Sequence, residues 1–221
     1  MNPSTSFVRF WTWQNLCAVL LVAIAYAAVG RVVFQFASLP GGITPIWPPS
    51  GIALAAVALL GARVAPGIAI GVMLLIPGSL SPLELAVQVA IALGSVLEVL
   101  VLNYVLRRYL PIETALTRSQ DTVRFTMLAF LGPTISTTIG TISTCLAGLE
   151  FWSDFPAIWG GWWISNAFGI LVFTPALVSW YQHDWRDRRW NLRLEVWLES
   201  LSMLDLTIGV CYVIFRHSVP L

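Results

Sequence analysis

An all-α, polytopic transmembrane helical bundle of about seven spans is the fold class this sequence predicts, and three observations carry the prediction. Of 221 residues, 57% are hydrophobic and 10% charged, with a mean hydropathy of +0.80; soluble domains carry about 25% charged residues. Apolar runs recur along the chain with no soluble domain or low-complexity linker between them, so residues 1–221 read as one integral membrane domain. The arginines fall almost entirely in alternate loops. All 12 cationic residues are arginine, and nothing in the sequence explains the lack of lysine. With a net charge of +1 and no basic patch, the chain is not expected to bind nucleic acid.

A helix of about 20 apolar residues crosses the hydrocarbon core. The first span runs from about Leu16 to Phe36, behind Trp11 and Trp13 as interfacial anchors. Arg9 precedes this run but no small-residue cleavage pattern follows it, so it is a span rather than a signal peptide. Next comes Ile43-Thr44-Pro45-Ile46-Trp47-Pro48-Pro49-Ser50-Gly51, with three prolines in five residues. Proline lacks an N–H and its ring clashes with the preceding turn, so this stretch is irregular and a helix starts where it ends. Irregular backbone at membrane depth requires protein or a water-filled cavity around it. The stretch therefore reads as one wall of a pocket, with the unpaired N–H groups of the following helix nearby.

The second span runs from Pro49 to near Gly61 and the third from Ala65 to Ile76, bounded by Pro66 and Pro77. Both are short of the ~17 residues a crossing needs. They form either two short crossings or one re-entrant hairpin. Arg63 at a hairpin tip inside the membrane would cost a few kcal/mol, which favours crossings. Gly67 and Gly71 let the third helix approach a neighbour closely. The fourth span runs from Leu83 to Leu106, and the fifth from Val123 to Leu146, kinked at Pro133. The sixth runs from Ile158 to Trp180 and the seventh from Trp197 to Phe215, with an interfacial helix over Asp184–Trp197 between them.

If Arg9 is cytoplasmic, so are the loops carrying Arg63, Arg107, Arg108, Arg118, Arg124, Arg186, Arg188, Arg189 and Arg193, which puts ten of the 12 arginines on one side. The opposite loops have no arginine, and one carries Glu150 and Asp154. This asymmetry orients the N-terminus to the cytoplasm. Arg31, inside the first span, and Arg216 are the exceptions.

Polar groups inside spans mark candidate sites. In the fourth, Glu84, Gln88 and Ser95 share one helical face, and Glu98 lies one turn beyond Ser95. Glu98 is deepest in its apolar run, so as a charge it must pair, with Arg31 the nearest counter-charge, or be protonated. In the fifth, Thr134, Thr137, Thr138 and Thr141 share a face opposite Ser136 and Ser143. Such hydroxyls bond their own backbone or join helices more often than they touch a ligand. In the sixth, Trp159, Trp162 and Trp163 flank Gly160-Gly161 just before Ser165-Asn166. Three tryptophans there form either an interfacial belt or the mouth of an aromatic cavity. Asp205, in the seventh span, is read as structural. Cys17, Cys145 and Cys211 read as buried hydrophobes, and His183 and His217 lack ligand spacing, so no metal or cofactor is expected. No nucleophile–base pair or phosphate loop is visible, and the chain does not read as an enzyme.

Several ordered motifs resemble the MASE1 membrane-associated sensor family. Trp47-Pro48-Pro49-Ser50-Gly51-Ile52-Ala53-Leu54-Ala55 and Leu60-Gly61-Ala62-Arg63-Val64-Ala65-Pro66-Gly67 resemble its opening signature, and Gly94-Ser95-Val96-Leu97-Glu98 its central glutamate motif. Trp162 through Pro175 resembles its late tryptophan–proline motif, where Asn166 stands in place of the family's usual aspartate. The resemblance covers about residues 16 to 180. It implies a bacterial inner-membrane input module of about eight spans, feeding a cytoplasmic histidine kinase, diguanylate cyclase or phosphodiesterase that these residues do not contain.

The expected function is thus a sensory domain that binds a small molecule and signals by helix rearrangement to a cytoplasmic partner. A homodimer in the inner membrane is its expected assembly. Trp47, Pro48, Ser50, Glu98, Thr137, Trp162 and Asn166 are the expected ligand-binding residues. A small transporter or substrate-capture subunit is the alternative, because proline-broken helices suit a transport site too. A scaffold that only dimerises a partner is the third reading.

Overall fold

The computed structural model describes residues 13–37, 44–75, 81–110 and 119–182, all within the compact unit Met1–Gln182. Among them there is no strand. The expected seventh span, the stretch Asp184–Trp197, Asp205, Cys211, both histidines, Arg9, Trp11 and Arg118 lie outside the described residues.

Helix α1 spans Trp13–Ala37. Helix α2, Pro48–Leu60, starts at the proline pair, where a missing N–H is no loss because the first turn has no acceptor for it. Gly61 stops it with φ +89°, a conformation glycine adopts without strain. Arg63 then donates from Nε to Leu60 O at 2.9 Å. A 3-10 turn, Ala62–Val64, leads into α3, Ala65–Met73.

Helix α4, Pro82–Tyr109, opens on a capping box: Ser81 Oγ accepts from Glu84 N at 3.2 Å, and Ser81 N donates to Glu84 Oε2 at 2.7 Å. Glu84 therefore caps the helix start. Ser81→Ala is expected to cost about 1 kcal/mol, a drop of roughly 2–4 °C in thermal midpoint. Differential scanning fluorimetry of the chain in nanodiscs reads it.

The fifth expected span divides into α5, Ser119–Leu131, and α6, Pro133–Leu146, at the expected proline. The Thr134 hydroxyl takes a carbonyl beside the break, donating from Oγ1 to Leu131 O at 2.6 Å. After a 3-10 turn, Trp152–Asp154, helix α7 spans Phe155–Gln182. Among the described residues, four elements are long and apolar enough to cross a membrane: α1, α4, the α5–α6 pair and α7. With the two shorter apolar helices, the described residues do not reach the expected count of about seven.

Glycines set the closest approaches. A Cβ on Gly67 would lie 2.4 Å from Val19 O, and one on Gly71 2.8 Å from Tyr26 Cβ, so the expected small-residue pair seats α3 on α1. Gly51 and Gly169 do the same for α2 and α7. Leu54, Ile68, Val99, Leu102, Leu106 and Ile170 form the centre of the apolar core. Outward, α4 exposes Leu93, Leu97 and Val101 at four-residue steps. A helix apolar on both faces suits lipid on one side and protein on the other.

Arg107 Nη2 donates to Ala58 O at 2.9 Å, so the end of α2 meets the last turn of α4. Exposed Arg63, Arg107 and Arg108 gather at this end. Because Ala58 meets Arg107, α2 begins only about halfway along the 28-residue α4. The proline-rich segment therefore ends about halfway along the long helices.

Candidate functional site

At that point, backbone and side chain lock the segment to α7. Trp47 N donates to Ser165 O at 2.9 Å, and the hydroxyls of Thr44 and Ser165 bond each other at 2.9 Å. The Trp47 ring contacts Phe34 at 4.9 Å between centroids and Tyr26 edge-on at 6.5 Å. Trp47 Nε1 reaches the Tyr26 hydroxyl at 3.4 Å.

A cavity of about 180 Å³ opens beside these rings, between α1, α2, α3, α4, α6 and α7. Trp47, Ser50, Trp162 and Asn166 line it, so four of the seven expected ligand-binding residues share one hollow. Pro48, Glu98 and Thr137 are buried but do not line it. Pro48 belongs to the first turn of α2. Thr137 is fully enclosed, and neither its Oγ1 nor that of Thr141 has a hydrogen-bond partner. The α6 hydroxyl that reaches the cavity is Ser136, from the opposite face.

Glu98 stands one step behind the lining. Ser136 Oγ donates to Glu98 Oε2, Asn166 Nδ2 donates to Ser136 Oγ at 3.4 Å, and Ser50 Oγ donates to Asn166 Oδ1 at 2.8 Å. One polar chain thus joins α2, α7, α6 and α4. It explains the asparagine: an amide donates to Ser136, leaving the Ser136 proton for Glu98, whereas an aspartate would compete with Glu98 for that proton.

The expected pairing of Glu98 with Arg31 does not form. Arg31 is exposed and donates from Nη2 to Leu74 O at 2.6 Å, just past the end of α3. A cation is favourable at a helix C-terminus, where carbonyls lack donors. Gln88 meets Val72 and Met73 at this level. Glu98 lies ten residues further along α4, roughly 15 Å down the axis.

The three tryptophans of α7 divide their roles. Trp162 lines the cavity and packs over Gly140, where a Cβ would lie 2.7 Å from its ring. Trp159 and Trp163 stack at 5.8 Å and hold α7 to its neighbours through Thr138 Oγ1 at 3.0 Å and Phe130 O at 2.7 Å. Tyr26, Gln88 and Ser95 also line the cavity and were not among the expected ligand residues. The signal for Gln88 and Ser95 was their shared face; for Tyr26 it was a lone hydroxyl inside an apolar run.

A family model described as MASE1 matches residues 17–216 of the chain. No curated protein and no solved structure matches it.

Proposed function

Because the chain belongs to the MASE1 family of membrane-associated sensory domains, we propose that it is the input module of a bacterial signalling protein, and that its signal is a small molecule held in the cavity beside Trp47. On this reading the domain sits in the inner membrane with its N-terminus in the cytoplasm. It passes the signal to a cytoplasmic histidine kinase or diguanylate cyclase partner, as a homodimer. The observation that carries the reading is the polar chain Ser50–Asn166–Ser136–Glu98, which links the cavity wall to four helices. A ligand can shift helix packing only if it binds two packings unequally. A wall shared by six helices offers such a difference, because moving any one helix changes what the ligand touches.

The test uses the full chain in nanodiscs, screened against small metabolites by thermal shift. Spin labels at Arg63 and Arg108, both exposed, report helix movement at the arginine-rich end. A saturable ligand that raises the melting temperature and changes the label distance supports sensing. Accumulation of the ligand inside proteoliposomes, with no distance change, favours a transporter instead. Glu98→Gln keeps an acceptor for Ser136, so the melting temperature is expected to stay within about 2 °C of wild type. The ligand midpoint is expected to shift about fivefold or more, because the variant changes the charge state available to the chain. An unmoved midpoint removes Glu98 from the response.

A further inference from the structure

One residue of the cavity wall carries a buried acceptor that the protein itself leaves unpaired. Gln88 is 5% exposed and lines the cavity. Its Nε2 donates to Val72 O at 3.1 Å and Met73 O at 3.2 Å, the closing carbonyls of α3. Carbonyls only accept, so this end of the amide must be the nitrogen. Oε1 is then turned away from α3, and it is buried with no hydrogen-bond partner. A buried acceptor is costly to leave unpaired.

The other hydroxyls of the wall, and the Asn166 amide, are engaged. Ser50 donates to Asn166, Ser95 to Ile91 O at 3.0 Å, and Ser136 to Glu98, while Thr44 and Ser165 bond each other. None of the lining side chains is a carboxylate, an arginine or a histidine. Four are aromatic: Tyr26, Phe34, Trp47 and Trp162. The space is small. A cavity of roughly 150 Å³ accommodates one benzene ring, and this one is about 180 Å³.

We propose that the cavity takes a small, uncharged aromatic molecule carrying one hydrogen-bond donor, phenol-like in kind. Its donor sits on Gln88 Oε1 and its ring lies among Tyr26, Trp47 and Trp162. The inference rests on the cavity being the signal site, as proposed above. A charged ligand is disfavoured by the uncharged wall, and the one nearby carboxylate, Glu98, lies behind Ser136 and is bonded to it. The site also has a built-in outlet. The amide that would accept from the ligand is the one that holds Val72 and Met73, so occupancy bears directly on the end of α3.

The test measures saturable binding to the full chain in nanodiscs, by tryptophan fluorescence and calorimetry, with empty nanodiscs subtracted. The probes are phenol, anisole, benzoate and phenyltrimethylammonium. Phenol is expected to bind about tenfold tighter than anisole, the worth of one hydrogen bond, with no saturable binding of either ion. In Gln88→Met, of similar volume and without the acceptor, the ratio is expected to fall to about one. The wild-type ratio stands without the variant should that variant fold poorly. Equal affinity for phenol and anisole overturns the donor assignment. Tightest binding by the cation, lost in Glu98→Gln, overturns the ligand class but leaves the cavity as a binding site. Failure of all four aromatic probes overturns the aromatic assignment. If the metabolite screen also yields nothing, the reading of the cavity as a signal site falls with it.

Discussion

Gly169→Ala is expected to lower the thermal midpoint of the chain by roughly 6–12 °C, about 3 kcal/mol of overpacking. One added methyl has this effect because of what it meets. A Cβ at Gly169 would lie 2.0 Å from Trp47 O and 2.7 Å from Trp47 C, and both are backbone atoms. A flexible side chain could rotate away, but this carbonyl belongs to a segment pinned by Trp47 N on Ser165 O and followed at once by two prolines. The alternative is for α2 to withdraw from α7, which also breaks the contact at Gly51, whose own Cβ would lie 2.2 Å from Gly169 O. Gly160→Ala is the control. Nothing lies within 4 Å of a Cβ there, and alanine is the better helix former, so its midpoint is expected to hold or rise slightly. An unchanged midpoint for Gly169→Ala would mean the two backbones do not touch.

Asn166→Leu is expected to cost about 2 kcal/mol and to abolish the response to ligand. Leucine matches asparagine in shape but cuts the polar chain at its centre. Ser50 loses its acceptor, and Ser136 loses the donor that leaves its own proton for Glu98. Each buried group stranded in this way costs about 1–3 kcal/mol in soluble cores. Inter-helix bonds in membranes average nearer 0.6 kcal/mol, because the separated helices find other partners. The figure of about 2 takes the two losses together between those limits. A double-mutant cycle with Ser50→Ala sharpens the test. If Ser50 acts through Asn166, Ser50→Ala adds little once Asn166→Leu is present. Additive losses would show that the two side chains are independent and that the chain is not a chain.

Much of the site could be read from polar residues lying where lipid should be. Trp47, Ser50, Trp162 and Asn166 stand out against apolar runs, and the structure gathers them around one cavity. Helix rotation is what local sequence does not fix. On a helical wheel, Thr137 and Ser136 differ by 100°, and nothing local says which of them faces α4 and α7. Packing decides it: Gly94 lets α4 come close to α6 at Ser136 and Ile139, and Gly140 admits the Trp162 ring. Glu98 was rightly singled out as a buried carboxylate needing a partner. Arg31 looked like that partner because both lie in apolar spans, but sequence carries no depth scale accurate to a turn across separate helices.

What the sequence determined by itself is everything that depends on neighbours within a few residues. Lipid offers no hydrogen bonds, so each apolar run must be helical; prolines and glycines then dictate where helices start and stop, as at Pro48, Gly61 and Pro133. The inventory of buried polar groups follows from the same runs. Which of those groups meet was decided by tertiary structure, because it depends on how far helices distant in sequence slide and turn against each other. The contacts at Gly51 and Gly169 set that for α2 and α7, and they put Ser50, Asn166, Ser136 and Glu98 in line. The unpaired oxygen of Gln88 arises in the same way, from two carbonyls of α3 claiming the nitrogen beside it.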